Sequence, residues 1–410
     1  MVRLLSLFLT VCVLISTTIT SQRDTESHPE SVAGIQTTVR SPSLRLKHDE
    51  LVNSLEETDK LFPGKIGLMT GSGFLDDISY LAAKKTVKKY GFDNFLWRTW
   101  SVSSIDTYSD IDRLEILVND SEVDSILINP SRANIHNILR GFRESRDDTF
   151  YICIDAMDDL GVLSSQADIV LVIDKLYMGK AMVRQAKKMG AETFVHYSYS
   201  RHIDKFLYSE RRELMRKECE NLGMTFLDIK SIDPANDGIA VAREFFQESV
   251  LNIIKEYGNK TAFFSLCFYS PNDLLKQVIG ANAIFVQTNS ASPYHGFSET
   301  FGIEFWSEGE LIPHEILNNE IKKAVAQENM TGRISNWPVD PNAMLTEVSI
   351  EYAIKRQKGE APQEGIDVEL LAQMMADYAG VKVYLTPYTD LETGETYENV
   401  LMMRMDYIKY

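Results

Sequence analysis

Ile169-Val170-Leu171-Val172-Ile173-Asp174 is an unbroken apolar run closed by a carboxylate. A run without polar alternation is what a strand buried on both faces requires, and such strands belong to parallel sheets covered by helices. Further runs share this form at 65–73, 125–130, 151–155, 193–198, 262–270 and 283–289, each ending in a small or polar tip. Between them lie stretches with helical periodicity, such as Ile78, Leu81, Ala82, Val87 and Tyr90. Several of these close on glycine, as in Lys88-Lys89-Tyr90-Gly91, Lys187-Lys188-Met189-Gly190 and Glu256-Tyr257-Gly258. Glycine accepts the left-handed backbone that ends a helix, and lysines in the last turn suit the helix dipole. The recurring order strand, tip, helix, glycine, strand predicts an α/β protein. In open sheets of this kind, ligands sit beyond the carboxyl ends of the strands, so the tips are where function is sought.

Asp174 also divides the series. Seven strands plus a C-terminal segment are generous for one sheet, and the run at 169–174 leads straight into a helix and then a new series from Thr193. Two lobes are expected, with a break near Asp174.

The chain has 410 residues and a formal net charge of −17, which argues against a nucleic-acid surface. Arg3 precedes the apolar stretch 4–15 and the small-residue stretch 16–21, the pattern of an export signal. That apolar stretch is shorter than the ~20 residues a membrane span needs. Residues 22–61 are polar and read as a tether. Cys12 would leave with the signal, and Cys153, Cys219 and Cys267 have neither metal spacing nor a disulfide framework. They read as buried thiols.

The tips carry the candidate site. Thr70-Gly71-Ser72-Gly73-Phe74 follows the first strand, and its glycines let a ligand approach the backbone; it lacks the Gly-Lys-Ser/Thr ending of a phosphate loop. Asn129 and Asp155 end two further strands before the break. Beyond it, His196-Tyr197-Ser198-Tyr199-Ser200-Arg201-His202 is the densest polar and aromatic stretch. Arg201 can hold a carboxylate or a pair of hydroxyls in bidentate fashion. Tyr269, Asn272, Asn289 and Tyr294 complete the second set. Amides, carboxylates, hydroxyls and aromatic faces together suit a neutral or zwitterionic polar ligand. No spacing indicates a metal, no cofactor is implied, and neither Gly-x-Ser-x-Gly nor His-Glu-x-x-His occurs.

Several longer motifs carry a resemblance. They are Ala186-Lys187-Lys188-Met189-Gly190-Ala191-Glu192-Thr193-Phe194-Val195-His196-Tyr197-Ser198, Ser292-Pro293-Tyr294-His295-Gly296-Phe297, Met330-Thr331-Gly332-Arg333-Ile334-Ser335-Asn336-Trp337-Pro338-Val339 and the closing Met405-Asp406-Tyr407. From about residue 62 onward the chain resembles type 1 periplasmic-binding-protein-like chains, which include ribose-binding proteins and the effector-binding cores of lactose-repressor-like regulators. Within that group it is similar to an uncharacterised family of exported solute-binding-like lipoproteins, known as a domain of unknown function.

The resemblance implies two Rossmann-like lobes with parallel sheets, joined by three interlobe crossings and closing on a ligand. Carried onto this sequence, it places crossings near Asp174, near 294–297 and near Trp337-Pro338 through 341. Lobe 1 would then be 62–173 plus 297–336, and lobe 2 would be 174–296 plus 337–410, after a signal at 1–21 and a tether at 22–61. Phe74 falls where sugar-binding relatives place a stacking aromatic, Asp155 where they place a hydroxyl-binding carboxylate, Arg201 where they place a clamp arginine, and Asn272 near a polar tip residue. The stretch 297–320 is longer than simple sugar binders carry, and the lipidation motif is unconvincing.

The expected function is an exported, non-enzymatic, monomeric protein that clamps a small polar solute, sugar-like, nucleoside or amino-acid-like. It would hand that solute to a membrane transporter or sensor. The alternatives are the effector-binding core of a cytosolic regulator, and a hydrolase or isomerase at the interlobe cleft.

Overall fold

Continuous apolar strands must be roofed by helices on both sides, and the chain meets that demand twice. The computed structural model describes residues 62–71, 78–101, 107–266, 271–307 and 310–410, all within one compact unit. The export signal, the tether, Ser72, Phe74, Cys267 and Tyr269 lie outside the described residues.

The first strands are β1 (Lys65–Thr70), β2 (Phe95–Thr99), β3 (Val123–Asn129), β4 (Phe150–Ile154) and β5 (Ile169–Ile173). They are followed by β6 (Thr193–Ser198), β7 (Thr225–Lys230), β8 (Thr261–Ser265) and β9 (Ile284–Phe285). Short strands β10 (Trp306–Ser307), β11 (Glu310–Leu311) and β12 (Ser335–Asn336) come next. The chain ends with β13 (Val383–Thr389), β14 (Thr396–Met405) and β15 (Ile408–Lys409). Two main sheets result, a seven-stranded one in the order β13-β14-β5-β4-β3-β1-β2 and a four-stranded one in the order β7-β6-β8-β9. All neighbouring pairs in these sheets are parallel except β13 with β14. The central runs are buried along their length, β4 as Phe150–Ile154 and β8 as Thr261–Ser265.

The chain crosses between the lobes at three places. The first is Asp174, which ends β5 and caps the helix Lys175–Lys188 by accepting the Tyr177 N–H. That helix packs on Phe206–Asn221 of the second lobe. The second is 337–341, which leads into the helix Pro341–Gln357; this helix packs against Ile78–Tyr90 and against β1, β3 and β4. The third is 406–407, after which β15 pairs antiparallel with β12 and Tyr410 joins the core of the smaller sheet.

This tracing corrects the expected division of the C-terminal half. Residues 297–336 stay with the second lobe, because Phe297 packs beside Phe285 and Tyr410, and Leu317, Ile321 and Val325 share the same core. Most of 337–410 belongs to the first lobe, because β14 extends the large sheet by pairing parallel with β5, Val400 opposite Val170. The crossing expected near 294–297 therefore falls instead at the last residues of the chain. The stretch 297–320 has a separate use. Its hairpin β10–β11 reaches the first lobe, where Glu310 pairs with Lys88 at 2.7 Å, and His314 Nε2 lies 3.0 Å from the Tyr378 carbonyl oxygen.

Cys153 and Cys219 are buried, and burial pushes both thiols up to about 12, so neither is a ready nucleophile. His196 is also buried in its sheet, with Nδ1 3.1 Å from Asp228 Oδ1. Burial holds the His196 and His314 imidazoles below their ordinary value. A histidine held low in the folded state is neutral there while the unfolded chain takes up the proton. Its stabilising contribution is therefore complete above the unfolded value of about 6.5 and is lost as pH falls through the folded value. Thermal melting at pH 7.5, 6.0 and 5.0 should show a lower Tm at each acidic step, with a flatter dependence in His196→Gln. An equally steep fall in that variant would remove His196 as a source.

Candidate functional site

Both sheets deliver their carboxyl ends to one cavity of about 390 Å³. From the first lobe it is lined by Ser79, Asn129, Pro130, Asp155 and Ile173. The start of the helix Pro341–Gln357 adds Asp340, Pro341 and Asn342. From the second lobe come Lys175, Met178, Tyr208 and Arg211, then the loop after β9 with Asn289, Ser290, Ala291 and His295.

The first-lobe groups are fixed by local structure. Asn129 is buried at the tip of β3, and its Nδ2 donates to Thr346 Oγ1 at 2.7 Å. Asp155 follows β4 with φ of 48°. That left-handed backbone is uncommon for a residue with a side chain and turns the tip sharply. Its N–H is held by the Leu171 carbonyl at 3.0 Å, and its carboxylate lies 3.5 Å from Lys175 Nζ, across the first crossing. Asp340 is committed to capping, accepting the N–H groups of Asn342 and Ala343.

Arg211 dominates the second lobe. It sits on the helix Phe206–Asn221 in line with Met215 and Cys219, the buried face of that helix. Only 2% of it is exposed. Its Nη2 donates to Asn289 Oδ1 at 2.9 Å, its guanidinium lies over the Tyr208 and Phe264 rings, and its Nε has no hydrogen-bond partner. Burial pushes its dissociation down to about 10. Gly179 makes this seat possible: a Cβ there would stand 2.8 Å from Arg211 Cγ and 3.0 Å from the Arg211 carbonyl oxygen.

Of the residues expected from the tips, Asn129, Asp155 and Asn289 line this cavity and Ser72, Phe74 and Tyr269 fall outside the described residues. The others are placed elsewhere. Gly71 is buried, with its N–H 3.4 Å from Ser79 Oγ. Tyr197 is core, its hydroxyl 2.9 Å from Ser249 Oγ, and Tyr199 is buried against the His202 ring. Tyr294 donates its hydroxyl to the Ile312 carbonyl at 2.9 Å. Asn272 is half-buried in the first turn of the helix Pro271–Gly280 and does not line the cavity.

Arg201 is the main correction. Its Nε and Nη2 hold Asp233 at 2.5 and 3.0 Å. Burial would raise the Asp233 carboxyl, yet Arg201 holds it below its usual range. The arginine that does line the cavity is Arg211, ten residues further on, and a cation in line with Met215 and Cys219 on the buried side of the helix was the signal for it. Among the expected hinge residues, Asp174, Trp337 and Pro338 occupy the first two crossings. Trp337 is buried near the ring of Tyr407, which comes from the third. Among the described residues there is no group of three or more His, Cys, Asp or Glu that could hold a metal.

Two α/β lobes with parallel sheets, joined by three crossings, constitute a type 1 periplasmic-binding-protein-like fold. The chain belongs to the family described as Protein of unknown function (DUF3798), whose model matches residues 64–335. An uncharacterized protein of Treponema pallidum (strain Nichols) is 30% identical over 150 residues, which are 36% of this chain and 69% of that protein. A second from the same organism is 28% identical over 177 residues, 42% of this chain and 80% of that protein. A solved structure from Clostridium difficile 630, assigned to the transcriptional regulators, superposes with a TM-score of 0.78 at 20% identity. The match covers 85% of this chain and 99% of that one, and it shows a shared fold. Among the described residues, no helix is long and apolar enough to cross a membrane.

Gly179→Ala should force the two helices apart at Arg211 and lower stability by about 1–3 kcal/mol, the usual cost of overpacking. Urea denaturation checks it against Gly141→Ala, where an added Cβ meets nothing within 4 Å. Equal stability of the two variants would contradict the close seat.

Proposed function

We propose that this chain is an exported solute-binding protein that closes its two lobes on a small polar ligand and presents it to a membrane transporter or sensor. The observation that carries the reading is the cavity, which takes amide, carboxylate and guanidinium groups from strand tips and helices of both lobes. A ligand touching both sets stabilises the closed arrangement, and that differential contact drives hinge closure. The apolar stretch 4–15 after Arg3, followed by small residues, supports export. We read the role as binding without turnover, which is supported by the engagement of the cavity's carboxylates, Asp340 with a helix end and Asp155 with Lys175.

Native mass spectrometry of protein purified without denaturation should show one small polar molecule retained in stoichiometric amount and unchanged on incubation. Steady conversion of that molecule would favour the enzyme reading instead. Fractionation should place a mature chain lacking about the first 20 residues outside the cytoplasmic membrane; a full-length cytosolic chain would favour the regulator. Asp155→Asn preserves the side-chain shape, and Asn tolerates the left-handed backbone. Losing the carboxylate should weaken the retained solute by about tenfold or more in titration calorimetry. Unchanged affinity would remove Asp155 from the site.

A further inference from the structure

Charge around the cavity is unevenly settled. Among the described residues, four formally charged side chains line it, Lys175 and Arg211 against Asp155 and Asp340. Asp155 has Lys175 as its partner at 3.5 Å, and Asp340 accepts two N–H groups at the start of a helix. Arg211 alone of the four is left with neutral company: Asn289, the rings of Tyr208 and Phe264, and no carboxylate within 4.0 Å among the described residues. Of its five N–H donors, only one on Nη2 has an acceptor among the described residues.

Arg211 is 2% exposed, and a buried guanidinium with no carboxylate partner among the described residues is costly to hold. Ridding the fold of that cost would be simple, since Met fills a similar volume. Gly179 instead leaves room for the arginine at close range. The arrangement is what a receptor for an anion needs, with desolvation already met and donors uncommitted until the ligand arrives. One positive charge left uncompensated among the described residues matches a monoanion. A phosphate dianion would call for a second free cation, and the other one lining the cavity, Lys175, already faces Asp155.

Resting on the solute-binding reading, we infer that Arg211 is the anion receptor of the cavity and that the solute carries a carboxylate. The polar remainder of that solute faces the amide of Asn129 and the carboxylate of Asp155 in the first lobe. The class is therefore small hydroxy, sugar or amino acids rather than neutral sugars or nucleosides.

Two measurements test this together. The first identifies by mass spectrometry the solute extracted from freshly purified full chain. The second is a thermal-shift and calorimetry panel of D-gluconate, L-lactate and L-glutamate beside D-glucose, inosine and glucose 6-phosphate. The wild-type chain should retain or bind a carboxylate. Arg211→Met should lose that affinity by more than tenfold, because a charge-assisted fork is removed, while its ligand-free Tm stays level or rises because an unpaired buried charge is gone. Arg211→Lys keeps the charge without the fork and should bind at intermediate strength; it also serves if the Met variant does not fold. A neutral or phosphorylated solute bound equally by wild type and either variant would overturn the inference and leave the solute-binding reading standing. No retained solute and no stabilisation by any compound would overturn both.

Discussion

Three crossings between the lobes are laced to one another by backbone hydrogen bonds, and the facing of the two sheets' strand tips depends on that lacing. The Asp174 N–H bonds the Met403 carbonyl at 2.9 Å, tying the first crossing to the approach of the third. Ser335 and Asn336, just before the second crossing, pair antiparallel with Lys409 and Ile408, just after the third. Buried backbone groups need such partners, so the crossings cannot drift apart independently. Both sheets are thereby held with their strand tips toward one cavity. Side chains add to the lacing, because a buried apolar cluster runs from Leu171 in the large sheet through Met178 and Met182 to Phe194 and Phe264 in the smaller one.

The third crossing also carries a side chain that reaches toward the cavity wall. Tyr407 follows the last strand, and its hydroxyl bonds the Gln287 side chain at the end of the second-lobe sheet. Gln287 stands two residues before Asn289, the sole hydrogen-bond acceptor for Arg211 among the described residues. Arg211 is therefore only a few bonds from the third crossing. The β10–β11 strand pair supplies a separate, peripheral link. Its Lys88–Glu310 pair is largely exposed on both sides and contributes little by itself.

Much of this architecture was legible in the chain because the central strands are buried on both faces. The runs at 125–130, 151–155, 169–174 and 193–198 need no partner information to be read as strands. The edge strands were not legible in that way. β7 is largely exposed or half-buried along its length, and β14 begins with alternating exposure before its buried end. The allocation of the C-terminal residues was hidden for a related reason, since β14 lies more than 200 residues from β5 and only their register reveals the pairing. The site was half visible. Asn129 and Asp155 end or directly follow strands and Asn289 lies in the loop after β9, which strand-tip logic reaches, whereas Arg211 lies in the second turn of a helix, where that logic does not look. Arg201 had the right chemistry at a tip, but Asp233, more than thirty residues away in sequence, takes its fork.

Hydrogen–deuterium exchange on the full chain, with and without its retained solute, tests the central claim most directly. Binding between the lobes predicts slower exchange at the same time in both halves of the cavity wall, around 155–157 and 342–346 in the first lobe and around 208–211 and 289–295 in the second, together with the crossings at 174 and 406–407. Protection confined to one lobe, or found only on surfaces away from this cavity, would contradict it.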